Sequence, residues 1–177
     1  MFYKLIISSM LLLSVCFASN DIKNLDTFKA SFTQKIVSTS DNIIEYKGDV
    51  FIKKSGKILW QYKTPVVKNV YINDSFAVVD EPELEQAIFT ELDSEINIIK
   101  LLNSSKKIDD NTYNTNIDDV DYLIKTSKSN DKIEFINYKD KLENKVEIKF
   151  SNVIQNGEIT EQIFKFTIPE HYDVIRK

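Results

Sequence analysis

The sequence predicts a mainly β protein with an α contribution: an antiparallel sheet, curved or rolled into an incomplete barrel and covered by helices. Three observations carry that prediction. Long runs alternate apolar and polar side chains with a period of two, short polar turn signals separate the runs, and one later segment changes to helical spacing.

The first run, residues 28–37, places Phe28, Ala30, Phe32 and Ile36 on one face with the polar Gln34, and Lys29, Ser31, Thr33 and Lys35 on the other. In the second, residues 43–53, Ile44, Tyr46, Gly48, Val50 and Ile52 oppose Glu45, Lys47, Asp49, Phe51 and Lys53. Successive strand side chains point to opposite sides, so each run has one greasy and one wet face. Further strands are expected over 57–63, 67–73, 76–80 and 86–90, punctuated by 38–42, Ser55-Gly56, Thr64-Pro65, Asn73-Asp74 and Glu81-Pro82. Ahead of the first strand, residues 21–26 have the makings of a short helix with Ile22 and Leu25 on one side.

The period then changes. Over 93–104, Ile96, Ile99 and Leu102 recur every third residue, and Ile98 and Leu101 widen the stripe. Thr90 or Asp93 is placed to cap the start, and Asn103-Ser104-Ser105 ends the element. Strands resume over 113–117, 120–126, 132–138, 145–153 and 158–168, with Asn156-Gly157 as a two-residue hairpin signal between the last two. Consecutive strands joined by short turns favour antiparallel order.

The first residues read as an export signal. Lys4 supplies the positive start, residues 5–15 are predominantly apolar, and Cys16-Phe17-Ala18 places small residues for cleavage after Ala18. Eleven helical residues rise only about 16 Å against roughly 30 Å of hydrocarbon, too short to span. The expected mature chain is residues 19–177, one domain. Removing the signal leaves 22 basic against 27 acidic residues, with the signs interspersed and no basic stripe. That balance argues against nucleic acid as ligand and against a surface held by anionic lipid.

Enzyme signatures are sparse. His171 is the only histidine, so a Ser-His-Asp arrangement could use no other base and a two-histidine metal site cannot form. Cys16, the single cysteine, leaves with the signal, and three glycines in all cannot build a phosphate-cradling loop. Asp109-Asp110, Asp118-Asp119 and Glu81/Glu83/Glu85 are carboxylate groupings of the kind a solvated acidic face carries, and no pair stands out as catalytic. No catalytic residue, cofactor or metal is expected. What remains is a rich aromatic inventory, with Phe28, Phe32, Trp60, Tyr62 and Phe76 all in the first strands. It suits either an ordinary core or an apolar ligand cavity.

The segments Phe28-Lys-Ala-Ser-Phe-Thr-Gln34, Gly48-Asp49, Lys53-Lys54, Trp60, Tyr62, Pro65, Asn73-Asp74, Asp80 through Pro82 to Gln86, Phe166-Thr-Ile-Pro169 and Asp173-Val-Ile175 occur in this order. On these residues the chain resembles the LolA family, periplasmic lipoprotein carriers of the Lol pathway in Gram-negative bacteria. The resemblance implies a half-open antiparallel barrel with a helical lid over an apolar cavity that shelters acyl chains. It also implies the partners: acylated outer-membrane lipoproteins, an inner-membrane lipoprotein-releasing ABC transporter and an outer-membrane lipoprotein acceptor, served by a monomer in the periplasm without bond chemistry.

Position by position, Phe28, Ile58 and Trp60 match cavity-lining positions of the family, and Ile96 and Ile99 fall on its lid helix. Phe32, Val50, Ile52 and Tyr62 on the sheet and Leu102 on the helix complete the expected acyl-chain lining. Where the family often carries an Arg-Pro pair whose arginine is thought to hold the lid closed, this chain has Lys54-Ser55. Lys54 is the expected latch, with a point charge in place of a planar fork.

Two other readings stay open at this stage. Leu13-Ser14-Val15-Cys16 loosely resembles a lipoprotein attachment box, which would make the protein an outer-membrane-anchored acceptor of the same fold, lipidated at Cys16. A hydrolase built on a carboxylate pair is the alternative of another class. The intact mass of the exported protein separates carrier from acceptor: the expected result is a chain starting at Ser19, and a diacylated or triacylated Cys16 would establish the acceptor instead.

Overall fold

The computed structural model describes residues 24–73, 76–91 and 97–177. The two long alternating runs become β1 (Thr27–Val37) and β2 (Ile43–Lys53), paired antiparallel from Thr27 opposite Lys53 to Val37 opposite Ile43. The next antiparallel strands are β3 (Ile58–Thr64), β4 (Lys68–Asn73), β5 (Phe76–Glu81) and β6 (Gln86–Glu91). Helix α1 (Ile98–Ser104) follows, then β7 (Lys106–Asp109), β8 (Thr112–Ile117), β9 (Val120–Thr126), β10 (Ile133–Lys139), β11 (Lys145–Gln155) and β12 (Asp173–Arg176). Among the described residues these twelve strands form one open sheet, ordered β12-β6-β5-β4-β3-β2-β1-β11-β10-β9-β8-β7. The protein is thus mainly β with one α-helix among the described residues.

Turn chemistry sets several of the reversals. Asp118 and Asp119 both take positive φ (53° and 64°) between the paired Ile117 and Val120, the two-residue turn whose twist matches the flanking strands. Aspartate tolerates that region because its short polar side chain bonds locally. The carboxylate pair is therefore a hairpin turn. Asp109 likewise accepts the Asn111 N–H at 3.0 Å and folds the tight turn from β7 into β8.

Three expectations are corrected. Asn24 to Asp26 are not helical, while the rest of the 21–26 segment lies outside the described residues. A strand, β7, occupies the stretch expected to be loop after the helix. The largest correction concerns 158–168, expected as a strand after an Asn156-Gly157 hairpin. β11 already has β1 on one edge and β10 on the other, so no edge is free to accept it. Asn156, at φ 57°, instead braces the chain entry: its Oδ1 accepts the Asp26 N–H at 2.8 Å and its N–H donates to Thr27 O at 2.9 Å. The chain then makes a 3-10 turn (Glu161–Phe164) and ends as β12, parallel to β6 in an otherwise antiparallel sheet.

That crossing has a cause. Leu59, on the face opposite Ile58 and Trp60, is only 2% exposed, and Tyr71, Val78 and Phe89 share its face by register. This half of the sheet is apolar on both sides, and the C-terminal strap covers the outside, with Phe166 packing on Tyr71 at 5.3 Å between ring centroids.

Gly48 is required by close approach. The β2–β3 register shifts between Lys47 and Gly48, bringing the Gln61 backbone so near that a Cβ would sit 1.9 Å from its carbonyl oxygen and 3.0 Å from the Phe32 ring. Gly48→Ala is expected to cost about 1–3 kcal/mol, the range of core overpacking, read as a lower urea midpoint. An unchanged midpoint would show that β2 and β3 part without loss.

Candidate functional site

The inner face of the sheet is assembled by register. Ile72, Ile58, Ile52 and Phe28 lie side by side across β4, β3, β2 and β1, and Val70, Trp60, Val50 and Ala30 form the adjacent row. Phe32 meets Trp60 edge-on at 4.9 Å and Tyr62 at 5.2 Å, and Phe28 meets Phe150 of β11 at 5.3 Å. Aromatic rings prefer these edge-to-face contacts, which fix their orientation.

Helix α1 lies against this face and buries Ile98, Ile99, Leu101 and Leu102. Its cap differs from expectation. Asn97, and neither Thr90 nor Asp93, caps the start of the helix: Asn97 Oδ1 accepts the Lys100 N–H at 3.0 Å. Thr90 is held in β6, and Asp93 lies outside the described residues. At the other end the Ser104 hydroxyl lies 3.0 Å from that of Thr115 on β8. A seven-residue helix is marginal by itself, so packing against the sheet holds it in place.

Of the residues singled out from sequence, Phe28, Phe32, Val50, Ile52, Ile58, Trp60, Ile99 and Leu102 are brought together in one buried cluster, and Tyr62 packs on its margin. Ile96 lies outside the described residues. The same cluster takes in Ala30, Ile72, Ile98 and Leu101, and from the far half of the sheet Tyr122, Ile124, Ile136, Ile148 and Phe150. The alternation in β9 and β11 signals Tyr122, Ile124, Ile148 and Phe150, whereas β10 is irregular around Ile136, and only their register beside β1 shows that they share the face. Lys54 reaches toward the chain entry: its Nζ lies 3.3 Å from Asp26 Oδ1 and its N–H donates to Asp26 O at 2.8 Å. Both side chains of this ion pair are exposed, where such pairs are worth at most about 1 kcal/mol.

Toward the hairpin tips the same face turns polar. Gln34 Oε1 accepts from the Tyr62 hydroxyl at 3.5 Å, and the Lys68 ammonium stands 4.7 Å over the Tyr62 ring and 5.5 Å over that of Tyr46. Tyr138, hydrogen-bonded to Gln34, packs on Tyr122 at 5.0 Å. Burial, and then the neighbouring Tyr122, pushes the Tyr138 hydroxyl far above the usual tyrosine range, and it stays protonated.

On the outer face, Lys53 and Lys57 converge on Glu161 of the strap, Lys57 at 2.7 Å, and the Lys53 ammonium stands 5.9 Å over the Phe164 ring. Those two hydrogen bonds pull the Glu161 carboxyl down from the usual 4.5 to about 2. A depressed carboxylate stabilises the fold above its unfolded value, and the contribution fades as pH falls through the folded one.

The fold is an open, mostly antiparallel sheet with one apolar face packed against a short amphipathic helix. Residues 23–167 match the family described as "Outer membrane lipoprotein carrier protein LolA", and the chain belongs to that family. It is 36% identical to an outer-membrane lipoprotein carrier protein of Campylobacter jejuni subsp. jejuni over 153 residues, 86% of this chain and 88% of the relative. It is 32% identical to a protein of the same name from Helicobacter pylori (strain HPAG1), covering 97% of both chains. Among solved structures, an uncharacterized conserved protein of Thermus thermophilus shares the fold with a TM-score of 0.54 at 10% identity, over 88% of this chain and 93% of that one. A LolA superfamily protein from Nitrosomonas europaea does so with a TM-score of 0.50 at 13% identity, over 81% and 91%. Proteins of this family are carriers, and the chain is not an enzyme.

Replacing Glu161 by Gln is expected to lower the urea midpoint at pH 7. The gap to wild type should close as pH falls from about 4.5 to about 2. A gap independent of pH would mean that the Lys53–Glu161–Lys57 cluster does not anchor the strap.

Proposed function

We propose that the protein is a periplasmic chaperone. It takes up the acyl chains of lipoproteins released by an inner-membrane ABC transporter and delivers them to an outer-membrane acceptor. Residues 1–18 export it, and residues 19–177 act as a monomeric single carrier domain. The observation that carries the reading is the match between a continuous apolar face and the small helix that covers it. Phe28, Phe32, Val50, Ile52, Ile58, Trp60 and Tyr62 form the sheet side of the acyl-chain site, and Ile99 and Leu102 the helix side of a lid over a half-open barrel; Ile96, outside the described residues, is assigned to the same site.

Magnitudes favour exchange of the helix for cargo. Burying four apolar side chains holds α1 with about 6–12 kcal/mol gross. Three acyl chains of about sixteen carbons carry roughly 48 methylenes and nearly 40 kcal/mol of gross transfer energy. Lipid chains can therefore displace the helix side chains, because hydrophobic burial is non-directional and either occupant satisfies the face. The same energy, roughly 40 kcal/mol, makes unassisted escape of a lipoprotein from a membrane negligible, which is why a carrier is needed. The latch is assigned to Lys54, whose exposed ion pair with Asp26 ties the β2–β3 turn to the chain entry, away from α1, and is weak enough to open.

The alternative, an acceptor lipidated at Cys16, is favoured only by the box-like residues before that cysteine and is decided by the mature N-terminus. The lid is testable directly, because a chain cleaved after Ala18 carries no thiol. In Ser104→Cys/Thr115→Cys, whose parent hydroxyls lie 3.0 Å apart, an oxidised pair ties α1 to β8. Uptake of a triacylated lipopeptide is expected to fall at least about tenfold on oxidation and to recover with reductant. Equal uptake in both states would remove α1 as a moving lid.

A further inference from the structure

We infer a second, polar subsite on the concave face, deepening the carrier reading on which it rests. A belt of Gln34, Tyr46, Tyr62, Lys68, Tyr122 and Tyr138 binds the ester carbonyls of the diacylglyceryl unit, while the apolar floor beside it takes the hydrocarbon. The belt is built by register: Gln34 opposes Tyr46, Tyr62 opposes Lys68, and Tyr138 opposes Tyr122. Its members also touch in sequence across the sheet. Lys68 lies over Tyr62 and Tyr46, whose rings meet edge-on at 5.6 Å, Tyr62 donates to Gln34, and Gln34 is shared with Tyr138, which packs on Tyr122.

The donor balance points to the ligand. An ammonium, a primary amide and phenols offer donors in excess: the Gln34 carbonyl accepts from Tyr62, and its NH2 group brings two N–H donors to the belt. Among the described residues Lys68 has no carboxylate partner. Its charge rests on two ring faces, which leaves its N–H groups usable. The Tyr46 hydroxyl likewise makes no hydrogen bond among the described residues. A belt of purely structural purpose would pair these half-buried donors internally, since unmet polar groups are costly. Ester carbonyls accept and cannot donate, so they complement it. A step from apolar floor to donor belt also reproduces the order of the cargo, from chain to ester.

The test compares two probes on the purified mature protein: a dipalmitoylglyceryl-cysteine lipopeptide and its dihexadecyl ether analogue, which keeps the chains and lacks the carbonyls. Wild type should bind the ester about tenfold more tightly, the effect of one or two ordinary hydrogen bonds. Gln34→Met/Lys68→Met should bring that ratio close to one while ether binding stays within about twofold. Tyr46→Phe, which removes an oxygen with no hydrogen-bond partner among the described residues, should lower the ratio about threefold. Equal ester and ether binding by wild type overturns the subsite. So does a loss in the variants that is the same for both probes. Failure of wild type to bind either probe overturns the carrier reading itself.

Discussion

The organising constraint is the coverage of apolar sheet surface. The inner face is apolar across its centre, from Ile72 through Phe28 to Phe150, and on β3 to β6 the outer face is apolar too. An open sheet cannot close on itself to hide either, so separate pieces of chain must cover them. The inside receives a seven-residue helix that fits by burial, with one side-chain hydrogen bond to β8. The outside receives the C-terminal strap, which Glu161 pins to two lysines and which β12 stitches to the sheet edge by main-chain bonds.

These two covers differ in kind, and the difference suits a carrier. Charge-assisted hydrogen bonds and strand pairing are directional, and a lipid chain offers nothing to replace them. Side-chain burial is non-directional and open to exchange with any apolar occupant of similar volume. The strap is built to stay, whereas the helix, apart from the Ser104–Thr115 bond, is held by the type of interaction that cargo can substitute. The polar belt adds direction within the face, because donors at one end and hydrocarbon at the other allow only one orientation of an acylated ligand.

Much of this was legible in the chain. The alternation of Phe28-Ala30-Phe32 against Val50-Ile52 set β1 and β2 to within a residue, and the three-residue spacing of Ile99 and Leu102 marked the covering helix. The described strand candidates share one face because period-two patterning determines which side of a strand each residue takes. The helix cap was misassigned. Thr90 and Asn97 are both good capping types, and which one is free depends on where β6 ends.

The sequence by itself determined the sides of the alternating strands, the existence of the helix and the poverty of catalytic groups, since all three follow from local side-chain order and composition. Tertiary structure alone decided which strands became neighbours. Pairing between β1 and β11 joins residues far apart in the chain, occupies the edge that 158–168 would have needed, and sends that segment over the outer face. The same long-range register gathers Gln34, Tyr62, Lys68 and Tyr138 into one belt, a grouping no local pattern contains.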